Sequence, residues 1–185
     1  MSVFAKLRGI FDENVDKRIL VLGTSCCGKT TLLRDFPEGR DMDELIWAML
    51  PEETQKRLDN TTWDEDMQNI WRQHVIDAKQ IIKIEPGHPL FAATLFASDI
   101  IVYLNIREET LRERVKKRGE DYAKVAANNE RIKEEIRVSG LPVIVVDIMV
   151  GWKPNALPYH YGRFLGQPPP NRTDTFRCIR LSDCF

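Results

Sequence analysis

At 185 residues the chain is long enough for one well-buried domain and short for two. Its residues are 43% hydrophobic and 30% charged, with a formal net charge of -1, the make-up of an ordinary soluble globular protein. No global charge excess advertises a polyanionic partner, so nucleic-acid binding would have to rest on a local basic groove.

The first eleven residues contain no continuous apolar stretch of the kind that makes a signal peptide or a membrane span. Val3, Phe4, Leu7, Ile10 and Phe11 fall at helical spacing and predict a short amphipathic helix packed on the core. Four apolar, largely β-branched runs then read as buried parallel strands: residues 18–22, 80–84, 99–104 and 142–146. A short fifth strand is expected near 39–42. Helical stretches lie between them, at 29–34, 42–50, 61–79, 108–118 and 122–138. Pro37 stops the first of these, Pro51 interrupts the second, and Ser139, Gly140 and Pro142 separate the last from its strand. Strand alternating with helix predicts an α/β fold, a parallel sheet flanked by helices on both faces. From Gly151 onward no period is visible, so the chain divides into a domain over 1–150 and an irregular C-terminal extension over 151–185. Aromatic residues in that extension, Trp152, Tyr159 and Tyr161 among them, favour a wrap over the domain rather than a flexible tail. Of the four cysteines two are adjacent, Cys26 and Cys27, and two lie near the C-terminus, Cys178 and Cys184. Without a paired CxxC, reduced thiols and a cytoplasmic location are expected rather than a zinc site or a disulfide framework.

After the first strand, Gly23, Thr24, Ser25, Cys26, Cys27, Gly28, Lys29 and Thr30 match the pattern GxxxxGK[ST], with Thr31 following. The glycines let backbone N–H groups close around phosphate oxygens, Lys29 can reach the β and γ phosphates, and the Thr30 hydroxyl can ligate Mg²⁺. The match sits between an apolar strand and a helix, the context this chemistry needs. ATP and Mg²⁺ are the expected ligands, and the fold is expected to be that of a P-loop NTPase.

No Asn-Lys-x-Asp element for guanine recognition occurs. Over about residues 17–150 the chain instead resembles the nucleoside monophosphate kinase group, which includes adenylate, thymidylate and shikimate kinases. The resemblance rests on the loop at 23–31, on Asp41-Met42-Asp43, and on the segment 103–121 with its arginines. It implies a kinase that moves the γ-phosphoryl group of ATP, with Arg114 and Arg118 in a lid where they neutralise charge on the transferred group. On a helix these two arginines share a face, and the alternative for them is a solvated basic helix paired with Glu108, Glu109 and Glu113. Lys116 and Lys117 read as surface. The group commonly has a third glycine where Cys26 stands. A thiol near Lys29 and a helix start would gain thiolate character, whereas packing alone also explains both cysteines.

Asp41 and Asp43 resemble the Asp-x-Asp of shikimate-type kinases, near acceptor and metal; helix N-capping is the competing reading. Glu85, ending the run 81–84 ahead of Pro86, Gly87 and His88, is expected at the carboxyl edge of the sheet as a metal or acceptor ligand, in preference to Asp147. The segment from Trp47 to Trp71, with Arg57, Trp63 and Arg72, occupies the place of the relatives' acceptor-binding helices. The acceptor is expected to be a nucleoside or nucleotide. More loosely the chain resembles phage-type kinases that phosphorylate 5-hydroxymethyluracil in DNA, which would make DNA the partner, with the cationic extension covering a strand. A nucleotide-binding regulator without transfer chemistry is the third reading. No membrane partner is expected, and the oligomeric state is open.

Overall fold

The computed structural model describes residues 2–60 and 65–148. Helix α1 (Val3–Glu13) is capped by Ser2, whose hydroxyl accepts from the Ala5 N–H, and it buries Val3, Leu7, Ile10 and Phe11. The predicted amphipathic stripe is thus a core-packing face. After it come β1 (Ile19–Leu22), α2 (Lys29–Leu33), β2 (Arg40–Asp41), α3 (Met42–Met49), α4 (Glu52–Asn60) and α5 (Glu65–Ile81). The second half holds β3 (Leu90–Ala92), β4 (Ile100–Ile106), α6 (Glu108–Arg118), α7 (Tyr122–Ser139) and β5 (Val143–Ile148).

These strands form one parallel five-stranded sheet in the order β2-β3-β1-β4-β5. Alternate side chains of β1 point to opposite faces, so Leu20 and Leu22 enter one core with α3, α5 and Ile132 of α7, while Ile19 and Val21 enter the other with α1 and α6. Both faces of β1, β3 and β4 are covered, which is why these strands are continuous apolar runs. Among the described residues no helix is long and apolar enough to cross a membrane.

Most predicted elements are found within a residue or two of the expected bounds. The strand expected at 80–84 is not. The helical period Trp71, Val75, Ala78 carries α5 through Ile81, and the Ile82 N–H still donates to the Ala78 carbonyl at 2.7 Å. The sheet strand is instead Leu90–Ala92, after a turn in which the His88 N–H donates to the Glu85 carbonyl and Gly87 takes φ +78°. Pro51 does more than interrupt a helix: its carbonyl accepts the Gln55 N–H and so starts α4, an element the sequence reading lacks. Trp63 and the extension 151–185 lie outside the described residues.

Residues 93–99 alone join β3 to β4, although β1 lies between those strands and all three run parallel. A crossover of this kind ordinarily takes a dozen or more residues and a helix. The bare connection is held from the side by α7. Arg131 Nη2 donates to the Ala93 carbonyl (3.0 Å), and the Leu95 N–H donates to Glu135 Oε2 (2.9 Å).

Candidate nucleotide and phosphoryl-transfer site

Strand β1 ends between β3 and β4, and the chain leaves it as a loop tied to the sheet by the Gly23 N–H, which donates to the Ala92 carbonyl at 3.2 Å. Gly23 has no room for a side chain. A Cβ there would lie 2.5 Å from Cys27 Sγ and 3.2 Å from Leu104 Cβ. Thr24, fully buried, fixes the outer side of the loop by donating from Oγ1 to the Val125 carbonyl of α7 (3.1 Å). Ser25, Cys26 and Cys27 are buried as well. Gly28, Lys29, Thr30 and Thr31 are partly open to solvent, and Gly28 takes φ +109° to turn the chain into α2.

Cys26 occupies the left-handed region at φ +62°, a conformation that ordinarily favours glycine. The loop thus keeps a glycine-like backbone path despite the side chain. Its thiol is not activated: burial, helped by the nearby Glu120 carboxylate, pushes it up to about 11. Of the two readings of these cysteines the packing one holds, because loss of hydration outweighs the pull of the Arg118 guanidinium. Cys26 and Cys27 are free thiols serving as small packing groups.

Lys29 Nζ donates to the carbonyls of Gly23 (2.7 Å) and Thr24 (3.0 Å). The ammonium is thereby held over the loop by two weak acceptors that phosphate oxygens can replace. Asp41 ends β2 at the carboxyl edge of the sheet and caps α3, its Oδ1 accepting the Asp43 N–H at 2.9 Å. Capping and a place beside the loop coexist, since both carboxyls feel the Lys29 charge. Burial pushes Asp41 up to about 6, against the opposing pull of Lys29. Asp43 is raised further above the carboxylate range, first by burial and then by the Asp41 charge. Asp43 Oδ1 is shut off from water and has no hydrogen-bond partner among the described residues.

From the far side, Arg114 Nη1 donates to the carbonyls of Cys27 (2.8 Å) and Cys26 (3.3 Å). Arg118 Nη1 lies 3.7 Å from Cys26 Sγ and pairs with Glu120 at 3.5 Å, in the turn where Gly119 ends α6. Both arginines reach the loop from one face of α6, as their spacing predicts, while Arg112 takes Glu108 as its partner. Lys116 and Lys117 are exposed.

Glu85 is not in this assembly. It stands before β3, on the amino edge of the sheet, exposed and 3.7 Å from Arg40. Its expected position rested on the misplaced strand at 80–84, and with β3 at Leu90–Ala92 the residue moves to the opposite end of the sheet. His88 beside it faces the Glu38 carbonyl through Nδ1 at 3.1 Å. Asp147 does lie at the carboxyl end of β5, where its Oδ1 accepts from Asn105 Nδ2 at 2.8 Å.

The carboxyl end of β3 carries no acid; Ala93 and Thr94 follow it. A polar cluster that the sequence reading missed takes that place. Thr94 Oγ1 accepts from Lys79 Nζ (2.8 Å), and Arg131 contacts Asn128, Glu135 and the Ala93 carbonyl. Tyr103 donates from its hydroxyl to Asn129 Oδ1 at 3.0 Å. The available signal was Asn128 and Asn129, polar residues at buried positions of α7 beside Val125 and Ile132.

The residues present fit a magnesium nucleotide. A glycine cradle with no space for a Cβ, an ammonium on replaceable carbonyls, and a buried carboxylate oxygen without a partner each match one part of such a ligand. Among the described residues no group of three or more His, Cys, Asp or Glu side chains is placed to hold a metal by itself. Thr30 and the Asp41/Asp43 pair are the protein's candidate contacts, with phosphate oxygens and water completing a magnesium shell.

No curated protein matches the chain. A family model described as an AAA domain matches residues 19–137, a span that runs from β1 into α7 and includes every described element of the site. The chain accordingly belongs to this AAA-domain family and carries the P-loop nucleotide-binding fold.

Proposed function

We propose that the protein is a kinase that transfers the γ-phosphoryl group of ATP to a hydroxyl of a nucleoside or nucleotide. One observation carries this reading: Lys29 and Arg114 both donate to carbonyls of a single loop, and the Asp41/Asp43 pair at the end of β2 lies close enough to feel the Lys29 charge. A bare nucleotide-binding module needs the loop and the lysine; the buried acids and the second cation are what phosphoryl transfer adds.

In this reading the loop amides and Lys29 take the phosphates, Lys29 exchanging the Gly23 and Thr24 carbonyls for phosphate oxygens. Arg114 and Arg118 neutralise the charge that spreads over the transferred group. Asp43 or Asp41 orients the acceptor hydroxyl and receives its proton, a task suited to a carboxyl whose affinity for protons has been raised by burial. Mg²⁺, held beside Thr30, would supply positive charge to the β and γ phosphates.

The test is incubation with γ-labelled ATP and, separately, mixed nucleosides, nucleotides, plain DNA and DNA containing 5-hydroxymethyluracil. Label is expected in the free nucleosides or nucleotides. Label confined to DNA would move the acceptor into a polymer, and label found only in inorganic phosphate would remove the kinase reading.

A further inference from the structure

The short crossover between β3 and β4 leaves a slot on one face of the protein. Residues 93–99 form its floor between α5 and the end of α7, and an open cavity of about 400 Å³ lies there. Its walls include Lys79 of α5, Leu95 and Ser98 of the crossover, and Ser139 and Leu141 at the end of α7. Ile76, one turn from Lys79, and Val138, beside Ser139, are 52% and 63% exposed. Val143 and Val145 of β5, on the same side of the sheet as Ile101 and Tyr103 with which they pair, are exposed too. Four large exposed aliphatic side chains, Ile76, Val138, Val143 and Val145, thus lie on the elements around the slot rather than in its lining, apolar surface that a covering segment would bury.

We propose that residues 149–185 of the same chain cover this slot. They follow from the carboxyl end of β5, whereas the slot lies by Arg18, Ser98 and Leu141 at the amino ends of β1, β4 and β5; their reach of roughly 120 Å when extended exceeds the ~27 Å length of α7 several times and spans that distance. They carry apolar side chains to set against it, including Tyr161, Phe164, Leu165, Phe176 and Ile179. An intramolecular partner acts at high effective concentration, so modest apolar contacts suffice to hold it. The proposal stands on the slot and on the chain's own length, and it holds whether or not the protein transfers phosphate.

Limited trypsin digestion of the full chain tests it, read by mass spectrometry at Arg163, Arg172 and Arg177. Docking predicts slow cleavage in the wild type and at least about tenfold faster cleavage in Ile76→Glu and in Val138→Glu, both at positions already more than half exposed. Val15→Glu, on an exposed residue before β1, should leave the rates unchanged. Hydrogen exchange at residues 76–81 and 136–141 should rise in a Phe164→Ser, Phe176→Ser variant. Equal cleavage rates in wild type and both slot variants would overturn the proposal. So would protection that disappears on roughly hundredfold dilution, which would assign the slot to a second copy of the chain.

Discussion

Lys29 and Gly23 are joined by a hydrogen bond from Nζ to the glycine carbonyl at 2.7 Å, so the loop holds its own cation in place. The ammonium is partly exposed and contributes little to the core. Lys29→Ala should lower phosphoryl transfer by more than about a hundredfold, the scale of losing a charged contact to the reacting group. Melting should shift little. Glu85→Ala, at the opposite edge of the sheet, should leave both transfer and melting nearly unchanged, since its exposed ion pair with Arg40 is worth well under ~1 kcal/mol. Transfer assays with thermal melts on both variants check the pair.

Gly23→Ala places a methyl group 2.5 Å from Cys27 Sγ in a fully buried spot. Crowding of that sort costs about 1–3 kcal/mol. Adding Cys27→Ala removes the clashing sulfur and should restore part of the loss, so denaturant melts of the two single variants and the double variant should show a non-additive recovery. Additive destabilisation would mean that the sulfur is not the obstacle.

The acid pair makes stability and activity run in opposite directions with pH. Asp41, pushed up to about 6 by burial, binds its proton more tightly in the folded chain than in the unfolded one. Its contribution to stability is therefore largest below the ordinary carboxyl range near 3.8 and declines as pH rises through about 6. Asp43→Asn removes one of the two coupled carboxyls and should flatten this decline. The same variant should lose transfer activity, and in the wild type the rate should fall as pH drops below about 6. Thermal melts from pH 4 to 8 alongside rate profiles read both effects.

Cys26 should resist alkylation. With its thiol pushed up to about 11 from the ordinary 9.0, the thiolate fraction at neutral pH is about a hundredfold lower than for a free cysteine. Iodoacetamide labelling followed by mass spectrometry should find Cys26 modified far more slowly in the folded chain than after denaturation. Cys26→Gly should keep nucleotide binding, because the backbone already follows a left-handed path there and glycine relieves roughly 1 kcal/mol of strain. Calorimetry with magnesium ATP compares the two chains.

The parts of the fold that sequence alone determined are those with local causes. The phosphate loop is legible because glycine, lysine and threonine at fixed offsets follow an apolar run, and the structure places that run as β1. Arg114 and Arg118 are legible as a pair because four residues make one turn of helix. Asp41 and Asp43 follow from a short strand whose end the sequence located.

Tertiary structure decided the rest. Ile81, Ile82 and Ile84 are β-branched enough to be a strand, yet the run of Trp71, Val75 and Ala78 against the core carries α5 to Ile81 and leaves Ile82 to Ile84 outside the sheet. Leu90, Phe91 and Ala92 become β3 because the gap beside β1 accepts a three-residue strand there. That choice sends Glu85 to the wrong edge and brings Arg131, which sits far along the chain, beside Ala93. Short-range pattern fixes what a residue offers; which edge of the sheet receives it depends on contacts between distant segments, and no local spacing encodes those.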